Sequence, residues 1–212
     1  MKAAIFDMDG TLVDSMEIWG KCCVAPLEKM NIPYPGDLIN IITPMGYGDM
    51  SEYYKNTFGL DMDTDEMVRT IAEKMCIEYE TIKPKEYVFD YLDKLKSQDI
   101  KMCVLTATAR KMGLPCLERL GLMDYFEFYA CCDELGMSKA NPEIFRKAAS
   151  ALGFDISEWA VFDDNGTAVR TAKKAGAEVF AVYDKTSKSQ CEEIKKYCDR
   201  YVISYKDLLQ QK

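Results

Sequence analysis

Short runs that are apolar almost throughout recur along this chain, separated by stretches with helical spacing, and no other feature limits its possible folds as much. The runs fall at residues 3–6, 101–105, 126–131, 159–162, 178–182 and 201–203. A strand with one wet face alternates apolar and polar residues, so near-continuous hydrophobicity marks strands covered on both faces, as in a parallel sheet. The segments between them supply the covers. Asn141 stands at a cap position with Pro142 opening the helix. Ile144, Phe145, Ala148, Ala149 and Leu152 then share one face, and Gly153 ends the run. Residues 167–175 show the same pattern before Gly176. Strands and helices alternating in this way predict an α/β fold, a doubly wound, Rossmann-like parallel sheet.

The alternation stops between residues 15 and 83, where helical patterns occur without a strand. Trp19, Cys22, Cys23, Leu27 and Met30 share a helical face that Pro26 is expected to bend. Phe58-Gly59 closes a shorter helix. Asp63 with Glu66 resembles a capping box ahead of Met67, Val68, Ile71, Met75 and Ile82. A helical module inserted after the first strand predicts two domains. One is an α/β core of residues 1–14 and 84–212, the other an α-helical domain of residues 15–83, with hinges near 13–16 and 83–85.

Composition removes several chemistries. Histidine is absent, which excludes imidazole acid–base catalysis, Ser-His-Asp and Cys-His nucleophiles, and His-containing zinc sites. The net charge of −8 repels phosphate backbones and anionic lipid, so neither nucleic acid nor a membrane is an expected partner. Most of the nine cysteines, which include no Cys-x-x-Cys pair, read as small apolar core residues in a reducing compartment. No stretch approaches the ~18 apolar residues of a membrane span, and Asp7 interrupts the N-terminal apolar run, so a cytoplasmic location is expected.

In open α/β sheets ligands bind beyond the carboxyl ends of the strands. The first expected strand ends Phe6-Asp7-Met8-Asp9-Gly10-Thr11-Leu12-Val13-Asp14-Ser15. Residues two apart in extended chain point the same way, so Asp7 and Asp9 can face one cavity; the bland reading is a solvated acidic turn. A calcium loop is excluded, because Leu12 stands where an EF-hand needs its sixth-position glycine. Thr106 and the backbone N–H of Ala107 suit an anion, or Thr106 simply caps a helix. Lys139, before a helix, reads alone as solvated surface. Asp163 and Asp164 suit either a hard cation or a turn and cap.

Taken in order, Asp7 and Asp9, Thr106, Lys139, and Asp163 with Asp164 resemble the four motifs of the haloacid dehalogenase-type phosphohydrolases, and the resemblance covers essentially the whole chain. The helical insert is similar to that family's helical cap, as in phosphoglycolate phosphatase and β-phosphoglucomutase relatives. Ser138-Lys139-Ala140-Asn141-Pro142 keeps only the lysine and second proline of the usual Gly-Lys-Pro-x-Pro, and Asn165 follows the acid pair where serine is usual; neither removes a reacting group.

The resemblance implies Mg²⁺-dependent hydrolysis of a small phosphate monoester, a sugar phosphate or similar metabolite, by a monomer or weak dimer. Asp7 would be the nucleophile and Asp9 the general acid and base. Thr106, Ala107, Lys139 and the Asp9-Gly10 backbone would hold phosphate oxygens. Asp7, the carbonyl of Asp9, Asp164 and Asp163, directly or through water, would hold the metal. A phosphomutase of the β-phosphoglucomutase type is the first rival. It is disfavoured by the lack of histidine and by the absence of Lys or Arg in residues 41–50, a stretch expected to face the active site, although Lys21, Lys29, Lys55 and Arg69 remain in the helical domain. A dehalogenase would have no use for Asp9, Asp163 and Asp164. A non-catalytic regulator would be expected to lack a reacting group, and none is missing.

Overall fold

A computed structural model of the chain describes residues 1–42 and 45–210, apart from the side chain of Asn40. Thr43 and Pro44, within the 41–50 stretch weighed against a mutase, lie outside the described residues. Six strands form one parallel sheet: β1 (Ala3–Phe6), β2 (Lys101–Thr106), β3 (Tyr129–Cys131), β4 (Trp159–Asp163), β5 (Glu178–Val182) and β6 (Arg200–Val202), in the order β3-β2-β1-β4-β5-β6. The chain winds outward from β1 through β2 and β3, returns to lie beside β1 as β4, and continues to β6. The crevice beyond the ends of β1 and β4 is therefore the switch point at which such sheets bind ligands.

The chain divides into two compact units, Met1–Asp14 with Lys83–Lys212, and Ser15–Ile82. The smaller holds α1 (Met16–Cys23), α2 (Ala25–Lys29), α3 (Leu38–Ile42), α4 (Tyr47–Phe58) and α5 (Thr64–Glu78). Asp63 caps α5, its side chain accepting from the Glu66 amide at 2.8 Å. Leu27, Tyr54, Met67, Ile71 and Met75 are fully buried, and the Tyr54 hydroxyl donates to the Cys23 carbonyl at 2.9 Å. The single bent helix expected over Trp19 to Met30 is two helices. They break at Val24, and Pro26 opens the second. The break shifts the helical phase, so Met30, the C-cap of α2, is 52% exposed rather than on the buried face.

The larger unit adds α6 (Val88–Ser97), α7 (Arg110–Arg119), α8 (Cys132–Leu135), α9 (Glu143–Ser150), α10 (Gly166–Ala175), α11 (Cys191–Ile194) and α12 (Tyr205–Leu209). Alternate strand residues face opposite layers. Ile5, Cys103, Leu105, Val161 and Val179 pack with Ile144, Phe145, Ala168, Val169 and Ala172 of α9 and α10. On the other face Phe162 stacks between Phe6 and Phe180, with ring centroids 4.4 and 4.6 Å away, and Tyr91 of α6 links it to Tyr205 of α12. The expected strands at 126–131 and 201–203 are shorter or shifted by a residue, and Ile203 is 70% exposed just past β6. Among the described residues no helix is long and apolar enough to cross a membrane. All nine cysteines are free thiols.

Candidate active site

The turn after β1 brings its acids back toward the sheet. The carbonyl of Met8 accepts from the amides of Leu12 (2.8 Å), Val13 (3.1 Å) and Thr11 (3.3 Å), while Gly10 donates to Val13 at 3.0 Å. That knot needs a left-handed residue, and Gly10, at φ +74°, takes the conformation without a Cβ penalty. Asp7 stays attached to the sheet, its amide donating to the Phe162 carbonyl of β4 at 2.9 Å.

The end of β4 supplies the facing acids. Carboxylate oxygens of Asp7, Asp163 and Asp164 lie within 4.8 Å of one another, and all three residues are buried. Lys139 bridges two of them, with Nζ 2.7 Å from Asp7 Oδ1 and 2.7 Å from Asp163 Oδ2. The contact with Asp7 is a charge contact rather than a well-angled hydrogen bond, so this buried oxygen keeps an open acceptor direction. Asp163 Oδ1 accepts from the Asn165 amide at 2.9 Å, and Asn165 in turn caps α10 through the Thr167 and Ala168 amides. The residue standing in the usual serine's place thus fixes the acid pair to the helix. Asn141, expected as the cap of α9, stands one residue before the observed cap Pro142, and its side chain accepts from the Glu143 amide at 3.1 Å, which anchors the loop carrying Lys139 although it keeps only one of the usual prolines.

Three carboxylates against one ammonium leave the cluster with two uncompensated negative charges, and the acids register it. Burial pushes Asp163 up to about 6, with Lys139 opposing and Asp7 adding to the rise. Burial, then Asp163 and Asp7, hold Asp164 well above the usual carboxylate range. Burial works against the charge of Lys139, yet Asp163 and Asp7 outweigh it and raise the ammonium above the ordinary lysine range. A hard divalent cation with oxygen ligands would supply the missing charge, so the donor set fits Mg²⁺.

Asp9 is buried, but its carboxyl is engaged elsewhere: Oδ2 accepts from the Thr108 hydroxyl at 2.5 Å. Thr106 ends β2 two residues beyond Val104, the partner of Phe6, and its oxygen accepts from the Thr108 amide at 3.1 Å. Ala107, between them, is exposed. Arg110, two residues beyond Thr108, is exposed and paired. It forms a two-point pair with Glu134 (2.5 and 2.8 Å) and donates to the Tyr129 carbonyl at 2.7 Å. Thr108 and Tyr129 were not among the expected site residues. The Thr106-Ala107-Thr108 spacing, which mirrors Asp7-Met8-Asp9 on the neighbouring strand, could have marked Thr108; nothing in the sequence around Tyr129 marks it.

The model of the family described as haloacid dehalogenase-like hydrolase matches residues 4–182, which spans both units and every residue of the cluster. The chain belongs to this family. Among relatives of the haloacid dehalogenase-like hydrolases, a phosphorylated carbohydrates phosphatase of Thermotoga maritima is 28% identical over 84% of this chain and 83% of its own. A phosphoglycolate phosphatase of Neisseria meningitidis is 27% identical over 83% of this chain and 77% of its own. Among solved structures, a candidate β-phosphoglucomutase of Thermotoga maritima superposes with a TM-score of 0.79 at 25% identity, covering 99% of this chain and 97% of that one. CbbY of Rhodobacter sphaeroides in complex with phosphate shares the fold, at TM-score 0.79 and 19% identity, over 98% and 96% of the two chains.

Proposed function

We propose that this chain, a phosphatase of the haloacid dehalogenase-like family, hydrolyses a small phosphate monoester through an aspartyl-phosphate on Asp7, with Mg²⁺ as cofactor. The observation that carries the reading is Lys139 shared between Asp7 and Asp163, with Asp164 beside them. Asp7, Asp163 and Asp164, with the Asp9 carbonyl, would hold the metal. Bound there, Mg²⁺ would offset the negative charge of the cluster and of the transferring phosphoryl group.

The chain's own groups divide the remaining work. Asp7 attacks phosphorus, and Lys139 lowers the repulsion between its carboxylate and the phosphate dianion. The Thr106 oxygen already accepts from the Thr108 amide, which orients its own hydrogen toward a phosphate oxygen. The amides of Gly10 and Ala107 are the backbone donors for that group. Asp9 donates a proton to the departing alkoxide and takes one from the water that cleaves the aspartyl-phosphate. The phosphatases among the relatives support a small phosphorylated substrate, a sugar phosphate or similar metabolite.

The test is release of inorganic phosphate from a panel of sugar phosphates and phosphoglycolate, with and without EDTA. Activity should vanish on chelation, return with Mg²⁺, and return poorly with Ca²⁺, whose looser coordination disturbs in-line geometry. Full activity in EDTA refutes the metal assignment. Asp7→Asn should abolish turnover with the fold intact, and residual activity within about tenfold of the parent would remove Asp7 from the nucleophile role. Water as acceptor is favoured over a second sugar hydroxyl because the chain lacks histidine and Lys29 of the helical unit is occupied by Glu66 and Thr70. With β-glucose 1-phosphate and a trace of its 1,6-bisphosphate, inorganic phosphate should outpace glucose 6-phosphate. The reverse order would make this protein a mutase.

A further inference from the structure

Thr108 is held at every polar atom it has. Its amide donates to Thr106 Oγ1 (3.1 Å), its carbonyl accepts from the Tyr129 hydroxyl (2.6 Å), and its hydroxyl donates to Asp9 Oδ2 (2.5 Å). The residue is 3% exposed. Tyr129 is wedged in turn: a Cβ added to Gly113 of α7 would fall 2.2 Å from the Tyr129 hydroxyl and 2.9 Å from Met8 Sδ, so the helix approaches β3 and the acidic turn only because that position is glycine. Burial, then the nearby Asp9 carboxylate, raise the Tyr129 phenol above its ordinary range, which keeps it a donor at every working pH. A threonine serving only as a helix cap turns its hydroxyl to a backbone N–H. This one turns to a carboxyl 99 residues away in sequence.

We propose that Thr108 is a positioning residue for proton transfer by Asp9: it fixes Oδ2, so that the proton given to the leaving group travels from Oδ1. The inference rests on the reading of Asp9 as acid and base. In the first half-reaction an Asp7 oxygen bonds to phosphorus, the bond from phosphorus to the leaving oxygen breaks, and the Asp9 proton moves to that oxygen. In the second, a water oxygen bonds to phosphorus, the bond from phosphorus to Asp7 breaks, and the water's proton passes to Asp9. A carboxyl released from Thr108 samples other rotamers, and misplacement of about 1 Å costs on the order of 100-fold. That cost falls on esters whose alcohol cannot leave as an anion, and spares those whose leaving group needs no proton.

The experiment compares kcat/KM, which reports the steps through aspartate phosphorylation, for glycerol 2-phosphate and 2,4-dinitrophenyl phosphate. Thr108→Val should lower the value for the glycerol ester by roughly 100-fold and that for the dinitrophenyl ester by less than about fivefold. Thr108→Ser, which restores the hydroxyl, should return both to within about fivefold of the parent. Tyr129→Phe releases the Thr108 carbonyl and touches no reacting atom. It should show a smaller loss, about tenfold, again confined to the glycerol ester, and it decides the matter should Thr108→Val fail to fold. Equal losses on both esters, or no loss on either, overturn the positioning role. A parent that releases phosphate from neither ester overturns instead the phosphatase reading beneath it.

Discussion

Asp163 and Asp164 are retained in the larger unit against an electrostatic cost. Burial raises both carboxyls, and each repels the other and Asp7. An unfolded aspartate titrates near ~3.9. Between that value and about 6, the folded state binds the extra proton through Asp163, so metal-free stability should fall as pH rises across this window. Mg²⁺ should reverse the trend by binding the ionised form, and thermal melts at pH 4.5 and 7 with and without Mg²⁺ measure both effects. Asp164→Asn removes one of the repelling charges. It should raise the melting temperature of the metal-free protein and abolish the Mg²⁺-induced rise; a lower metal-free melting temperature would contradict the account. Gly113→Ala carries the opposite lesson. Alanine in a helix is favoured over glycine by ~1 kcal/mol, but a Cβ 2.2 Å from the Tyr129 hydroxyl forces a shift costing ~1–3 kcal/mol, so the net effect should be destabilising. Pairing it with Tyr129→Phe, which deletes the nearest atom, should recover part of the loss in a double-mutant cycle.

At the scale of elements, the segment returning from the helical unit is fastened to the sheet by one ion pair. Lys85 Nζ lies 2.9 Å from Asp184 Oδ2 and 3.2 Å from the Tyr183 carbonyl, just beyond the end of β5, with side chains 15% and 3% exposed. Burial alone would raise the Asp184 carboxyl, but Lys85 and the Thr186 amide outweigh it and hold it below the usual range. A depressed acid contributes stability above its unfolded value, and loses that contribution as pH falls through the folded one. Lys85→Met should therefore cost about 3 kcal/mol at pH 7, because a buried carboxylate loses its ion pair, and less near pH 3, where the unfolded acid already binds its proton and the contribution of the pair diminishes. Urea melts at the two pH values check this, and equal losses would show that the lysine acts through packing alone.

At the scale of the molecule, the helical unit leaves the core and returns to it at almost one point. The Asp14 amide donates to the Lys83 carbonyl at 3.0 Å, and Val13 pairs with Pro84 as an antiparallel bridge. Loop closure across so short a gap costs little, so joining residue 15 to residue 83 through a short linker should leave a folded larger unit. If the helical unit selects the substrate, that variant should keep slow hydrolysis of an activated aryl phosphate and lose the parent's ranking of natural esters. A folded variant with an unchanged ranking would place selectivity in the larger unit.

The sheet, the inserted helical unit and the acids at the strand ends were legible in sequence because each leaves a local mark. Buried parallel strands are apolar at nearly every position, and the two acids after β1 sit two residues apart beside glycine. Helix boundaries at Gly59, Asp63 and Gly176 were legible for the same reason, since capping is decided by the residues at the cap. The break at Val24 was not, because a phase slip between two short helices leaves the apolar spacing nearly unchanged. Nor was the grip on Asp9. Thr108 meets that carboxyl across 99 residues, Tyr129 braces it from another strand, and Gly113 makes room from a helix. Packing between elements distant in the chain sets those contacts, and no spacing within a single segment encodes them.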